Sequence, residues 1–222
     1  MFAIQAAGWL KPRSFLTCLV ATILLSGNAI AEPFHSGEHL RRAGAELQVL
    51  YGDVRLLRQP KLHQAHKTGL IDRIQGSLTA LDILLRMADQ EMGREVMSRL
   101  SETTSLKHSM ASREYEQVEN TLSVLLEQYP LRIPVMVVTD TTEALAIHKS
   151  LCQSCHTTTL GNVERPAYNL FEQTRSIPRV EMFARMLIGV RGDRVTGIDN
   201  PLTDFQIMAM ITLYSDGASD NY

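Results

Sequence analysis

The chain has 222 residues, with 22 basic and 24 acidic side chains and a formal net charge of −2 when the histidines are neutral. No basic stripe or strong positive balance marks a nucleic-acid-binding surface, so no nucleic-acid partner is expected. The only cysteines are Cys18, Cys152 and Cys155, which excludes a second C-x-x-C pair and with it the usual closed four-ligand zinc site.

Residues 1–31 have the three-part form of an export signal. Lys11 and Arg13 form the positive flank, Phe15 to Leu25 the apolar run, and Ala29-Ile30-Ala31 a small-x-small cleavage site. The apolar run is shorter than the ~20 residues a membrane-spanning helix needs. Cleavage after Ala31 is therefore expected, with a periplasmic product that has no membrane span. Cys18 leaves with the signal, and the balance becomes 20 basic against 24 acidic residues, net −4, because Lys11 and Arg13 are the only charges in it.

Residues 32–132 are dominated by helical periodicity. Leu40, Leu47 and Val54 repeat every seven residues, and Ala43, Leu50 and Leu57 follow three positions later, making one apolar seam. Ile71, Leu78 and Leu85 with Ile74, Leu81 and Ala88 repeat the device on a second helix. Met92, Val96 and Leu100 suggest a shorter third helix, and Tyr115, Val118, Leu122, Leu125 and Tyr129 a last one. Such seams on consecutive helices with short polar connections predict an antiparallel helical bundle. His63 and His66 read as a solvated pair near a helix start, and the Arg and Glu residues as a wetted outer face.

Pro130 and Pro134 interrupt the pattern and place a domain boundary near Ile133, followed by an extended run from Val135 to Val138. The second domain, 133–222, opens with Asp140-Thr141-Thr142-Glu143 as a helix start, and the helix runs through Ala144, Leu145, Ile147, His148 and Leu151. It delivers its end to Cys152-Gln153-Ser154-Cys155-His156, and C-x-x-C-H is the attachment signature of a covalent c-type haem. Two thiols at this spacing can form thioethers with the two vinyl groups of one porphyrin. Cys152 and Cys155 are thus the expected anchors and His156 the proximal iron ligand, with one haem c as cofactor. A redox-active dithiol is the competing use of C-x-x-C, and it expects a neighbouring βαβ pattern that this sequence lacks. Export and covalent haem attachment imply each other, because the attachment takes place after export.

A further helix is predicted after Ser176-Ile177-Pro178, with Val180, Phe183, Ala184 and Leu187 on one face. Thr203-Asp204-Phe205-Gln206 is a capping box for the last helix, whose Phe205, Met208, Ile211 and Leu213 or Tyr214 are expected to pack inward. The whole chain is accordingly expected to be all-α.

On these residues the segment 140–216 resembles the class I cytochrome c family, in which a helix runs into C-x-x-C-H, a proline-containing loop and a middle helix follow, and a last helix crosses the first. The resemblance implies a haem wrapped by about eighty residues. It also makes Pro166, within Arg165-Pro166-Ala167-Tyr168-Asn169-Leu170, the candidate whose carbonyl accepts from the proximal histidine, although a loop-punctuating proline is an equal reading. The family's distal methionine is missing: the loop from Val190 to Pro201 contains no Met, His or Cys. Met182 and Met186, one helical turn apart, and a histidine of the bundle are the remaining donors.

The expected function is single-electron transfer between redox partner proteins, with no reaction catalysed on a substrate. The missing methionine motivates an alternative, a haem protein that binds or senses a small gas at an open distal position. A peroxidase-like enzyme is a weaker reading, since no distal acid/base group can be identified.

Overall fold

The structure is a computed structural model in which residues 37–95, 100–156, 167–191, 197–198 and 201–217 are described. The expected signal, 1–31, lies outside them. Helix α1 (Glu38–Leu57) is the hub, packing against α2 (Gln64–Glu91), α4 (Tyr115–Gln128) and, far along the chain, α8 (Arg179–Leu187). Its predicted seam is buried: Ala43, Leu47, Leu50, Val54 and Leu57 meet Ile74, Leu78, Leu81 and Leu85 of α2 and Val118, Leu122 and Leu125 of α4 in one core. The first turn of α1 is closed from outside its own sequence. The Glu91 carboxylate, at the end of α2, accepts from the Gly37 and Leu40 amides at 2.7 and 2.8 Å, satisfying donors that a helix start leaves open.

The third helix, α3, spans Leu100–Ala111 and begins where the predicted Met92-Val96-Leu100 stripe ends. Gly93, in the left-handed region at φ 65°, terminates α2, and the Arg94 amide donates back to the Asp89 carbonyl. Met92 therefore caps the preceding helix, Leu100 is exposed, and Thr103, Leu106 and Met110 form the buried stripe instead. Val96 lies outside the described residues. The expected last helix holds as α4, with Tyr129 fully buried beyond its end and its hydroxyl 2.8 Å from the buried Asp89 carboxylate.

Residues 130–141 form no regular element before the second group of helices. Within this segment Ile133, Met136 and Val138 pack on the C-terminal core while Val135 and Val137 face solvent, the alternation of an extended chain. Helix α5 (Thr142–Ile147) continues through a π-helical turn (His148–Cys152) into α6 (Gln153–His156). Helix α7 (Leu170–Ser176) was not foreseen, yet it has a local signature: Asn169 accepts from the Phe171 and Glu172 amides as N-cap. After α8, a two-residue antiparallel ladder pairs β1 (Val190–Arg191) with β2 (Gly197–Ile198), and α9 (Asp204–Asp216) follows. The predicted capping box of α9 is present in full between Thr203 and Gln206. Ile207, Met208, Ile211, Leu213 and Tyr214 point inward, but Phe205, in the first turn, is half exposed.

Apart from that short ladder, the described residues are all helix and loop, and they belong to one compact unit. The boundary expected near Ile133 separates two hydrophobic cores and not two independent bodies. A third cluster joins them: Ala45 and Val49 of α1 meet Ala184 and Ile188 at α8. Ala45, Val49 and Gly52 form a second, small-residue stripe on α1, at i, i+4 and i+7, which lets the two helices approach closely.

Two glycines of α1 allow close contacts, Gly52 with α8 and Gly44 with the segment after α4. A Cβ on Gly52 would lie 2.2 Å from Glu181 Oε1 and 2.9 Å from Arg185 Nη2, and one on Gly44 would lie 2.8 Å from the Tyr129 carbonyl oxygen and 2.9 Å from the Leu131 nitrogen. Gly69 and Gly76 on α2 have nothing within 4 Å. Gly69→Ala and Gly76→Ala should therefore stabilise by up to about 1 kcal/mol through helix propensity. Gly44→Ala and Gly52→Ala should instead cost about 1–3 kcal/mol through overpacking. Thermal melts of the four variants check this, and a stabilised Gly44→Ala would contradict the packing described.

Candidate functional site

The C-x-x-C-H segment lies at the end of one uninterrupted helical run. Asp140 Oδ1 accepts from the Thr142 amide at 2.8 Å and opens the run. Ala144 and His148, four residues apart, are the two members of it buried against α9 and α7, whereas Leu151 is largely exposed. The π-turn occupies His148–Cys152, so the ladder is wound one residue wider over the residues leading into the motif, a device common at functional sites.

His148 is the anchor of this run. Its ring is fully buried, edge-on to Phe171 at 5.4 Å and to Tyr214 at 5.5 Å, and those two rings meet edge-on at 5.0 Å. This mutual T-shaped trio gives more than area burial alone. His148 Nδ1 lies 3.0 Å from the Tyr214 hydroxyl. Burial, with smaller contributions from His156 and Lys149, holds the imidazole below its ordinary pKa and so keeps it neutral. The apolar pattern placed His148 on the helix but did not reveal this role.

Tyr214 also hydrogen-bonds the Cys152 side chain, and burial pushes its phenol far above the usual range. Cys152 is itself partly buried; desolvation raises its thiol, and the Tyr214 hydrogen bond offsets only part of that. Cys155 is exposed, and the two thiols are not joined to each other. At i and i+3 they share one side of the helical run.

His156 is partly buried, and its Nδ1 stands 2.7 Å from the backbone carbonyl oxygen of Tyr168. A carbonyl only accepts, so Nδ1 is the donor in this bond, and in the neutral ring Nε2 is then the nitrogen with the lone pair. Among the described residues the acceptor is the Tyr168 carbonyl, two residues beyond the expected Pro166, which itself lies outside the described residues.

The histidines of α2 are engaged with this region. The Tyr168 ring stacks on His66, centroids 4.1 Å apart at 19°, and His63 meets His66 edge-on at 6.2 Å. A solvated pair was the expectation for these two. The second domain covers His66, which sequence periodicity within one helix does not disclose.

The charged residues near this contact also depart from the expected wet face. Asp53 of α1 is fully buried and takes both Arg73 of α2 and Arg185 of α8, the latter at 2.9 Å. Glu181, 1 % exposed, takes Arg185 at 2.7 Å and Arg55 at 2.7 Å. Burial pushes the Asp53 carboxyl up, but Arg73 and Arg185 together outweigh it and hold the group below its ordinary value. Arg185 is therefore no surface charge: its guanidinium is locked between two carboxylates at the junction of the cores. Arg41 and Asp204 pair across the same junction nearer the start of α9.

Of the proposed distal donors, Met182 is buried in the C-terminal core and Met186 is partly buried against it. Residues 192–196 and 199–200 of the preceding loop lie outside the described residues. Among the described residues, no group of three or more His, Cys, Asp and Glu is placed to hold a metal ion, and no helix is long and apolar enough to cross a membrane.

Together these features define an all-α protein with a C-x-x-C-H helix docked on its last helix and a buried ionic junction to its N-terminal helices. No family model, curated protein or solved structure matches the chain.

Proposed function

We propose that the chain is an exported, periplasmic mono-haem c-type cytochrome, an N-terminal helical bundle followed by a class I cytochrome c-like domain, that passes single electrons between redox proteins. The observation that carries this reading is His156: the Tyr168 carbonyl occupies Nδ1 and leaves Nε2 as the donor atom of a residue that follows two free thiols on the same helical run. The residues present fit a covalent haem. Cys152 and Cys155 would hold the porphyrin, His156 would ligate the iron, and the iron would supply reversible one-electron chemistry. Fixing of the ligand by a partner on its other nitrogen is what metal-bound imidazoles generally require.

The competing uses of C-x-x-C are less well supported. A reactive dithiol needs a lowered thiol pKa, whereas burial raises that of Cys152. A zinc site needs further donors, and none converges among the described residues. The α9–α5 contact, with Tyr214 and His148 at its centre, agrees with a last helix crossing the first.

The distal side separates electron transfer from the second reading, gas binding at an open position, which the lack of Met, His and Cys between Val190 and Pro201 favours. His66 is tied through Tyr168 to the Nδ1 side of His156, so it is not a candidate for the opposite position. Met182 and Met186 of α8 and the other histidines of the N-terminal helices remain the candidate donors. Oxidised and reduced absorption spectra of the exported protein, with and without carbon monoxide, test both readings. Low-spin spectra indifferent to the gas are expected for the electron carrier. A high-spin spectrum shifted by the gas would replace it with the ligand-binding reading, and the lack of any haem absorption would remove both.

A further inference from the structure

The carbonyl that holds His156 is also the point at which the N-terminal helices reach the motif. Tyr168 lies in the irregular segment 167–169, just ahead of the N-cap of α7, so no helical ladder fixes the direction of its carbonyl. The Tyr168 phenol oxygen is buried and has no hydrogen-bond partner among the described residues. Its ring is held by enclosure and by the flat stack on His66. Arg73, Asp53 and Arg185 stand close enough to act on the phenol, which places the ring beside the buried ionic junction. The position of the carbonyl therefore depends on a surface that α1, α2 and α8 build together.

We propose that His66 and Tyr168 are positioning residues for His156: the His66 ring is a shelf that keeps the Tyr168 carbonyl on Nδ1, so that the N-terminal helices set the donor strength of the proximal imidazole. This rests on the haem reading above. A well-placed acceptor on Nδ1 increases the basicity of Nε2. Stronger donation favours the ferric over the ferrous state, since axial ligation and the hydrogen bonding behind it are main controls on the potential. Loss of the shelf lets the carbonyl drift, weakens the Nδ1 bond and moves the equilibrium toward ferrous iron. The bundle would then be part of the redox centre, and not a separate module tethered to it.

The test is the midpoint potential of the haem-loaded full chain. His66→Ala is expected to raise it by an amount corresponding to about a tenfold shift in the ferric–ferrous equilibrium constant, ~59 mV for a one-electron couple. His66→Phe restores a flat ring and should return the potential most of the way to that of the parent. Leu122→Ala, which opens the core of the N-terminal helices on α4, should lower the melting temperature and leave the potential unchanged. A purely structural role for His66 would make His66→Ala behave like Leu122→Ala, with a lower melting temperature and an unmoved potential, and that result would overturn the proposal. Haem staining of the same samples on a denaturing gel distinguishes the two levels. An unstained parent chain would remove the haem reading and this inference with it, whereas a stained His66→Ala with an unmoved potential would remove the inference alone.

Discussion

Replacing Cys152 and Cys155 together with serine is expected to abolish covalently attached haem, so that a denaturing gel of the exported variant carries no haem stain. The expectation follows from the placement of the thiols. Neither thiol is in a disulfide, the two are one helical turn apart, and the preceding run is docked by the His148–Phe171–Tyr214 trio, none of whose members is substituted. Serine at position 152 keeps a hydroxyl beside Tyr214, so loss of the stain reports the missing thioethers more than a collapsed core. His156→Ala should behave differently, retaining stain while losing the absorption of a histidine-ligated iron. A double cysteine variant that still stained would mean that the haem is not held at this motif, and the proposed function would fail.

The second large effect is expected at Asp53. Its carboxylate is fully buried between Arg73 and Arg185, and Asp53→Ala leaves Arg73 without its buried partner and Arg185 with Glu181 alone. Breaking a buried pair by removing one partner costs about 3–5 kcal/mol. That is a large share of the roughly 5–15 kcal/mol by which a domain is stable. Asp82→Ala, which removes the more exposed i,i+4 pair with Arg86, should cost no more than about 0.5 kcal/mol. Chemical denaturation of both variants makes the comparison, and equal losses would show that the Asp53 junction contributes nothing beyond a surface pair.

Asp53 also sets an acid dependence. Its folded pKa lies below the unfolded value of 3.8, so its contribution is fully present above that value and is lost as the pH falls through the folded pKa. His148 works in the same direction at higher pH. Its folded pKa lies below the unfolded 6.5, so stability begins to fall as the pH drops below that value, when the unfolded chain takes up a proton that the buried ring resists. His148→Phe, which keeps an aromatic ring between Phe171 and Tyr214, should flatten the upper part of this acid limb without moving the part due to Asp53. Denaturation midpoints from pH 7.5 down to pH 3 would separate the two contributions.

What could be read without the structure was what local periodicity and local chemistry encode. The α1 and α2 seams, the buried stripe of α4, the capping box at Thr203 and Gln206 and the helical approach to Cys152 all depend on residues within a few turns of one another. A burial pattern at i, i+3 and i+4, or a side chain reaching an amide three residues away, is decided before any distant segment arrives. The C-x-x-C-H spacing is of the same kind, and so is the lack of donors between Val190 and Pro201. The Asn169 cap of α7 is of the same local kind, a side chain accepting from amides two and three residues on.

Tertiary structure decided whatever depended on which two surfaces meet. Asp53, Arg73, Glu181 and Arg185 look like solvated charges along their own helices, and only the approach of α8 to α1, over Ala45, Val49 and Gly52, removes water from them and turns them into a buried ionic junction. His66 looks like a wet helix-end histidine until Tyr168 stacks on it, and the Tyr168 carbonyl emerges as the partner of His156 only once the two segments meet. The residues around the motif thus carry its chemistry in their own types and spacing. The carbonyl that holds His156 belongs to Tyr168, whose ring stacks on His66 from about ninety residues before the motif, since close packing and desolvation are properties of the assembled fold and not of any one segment.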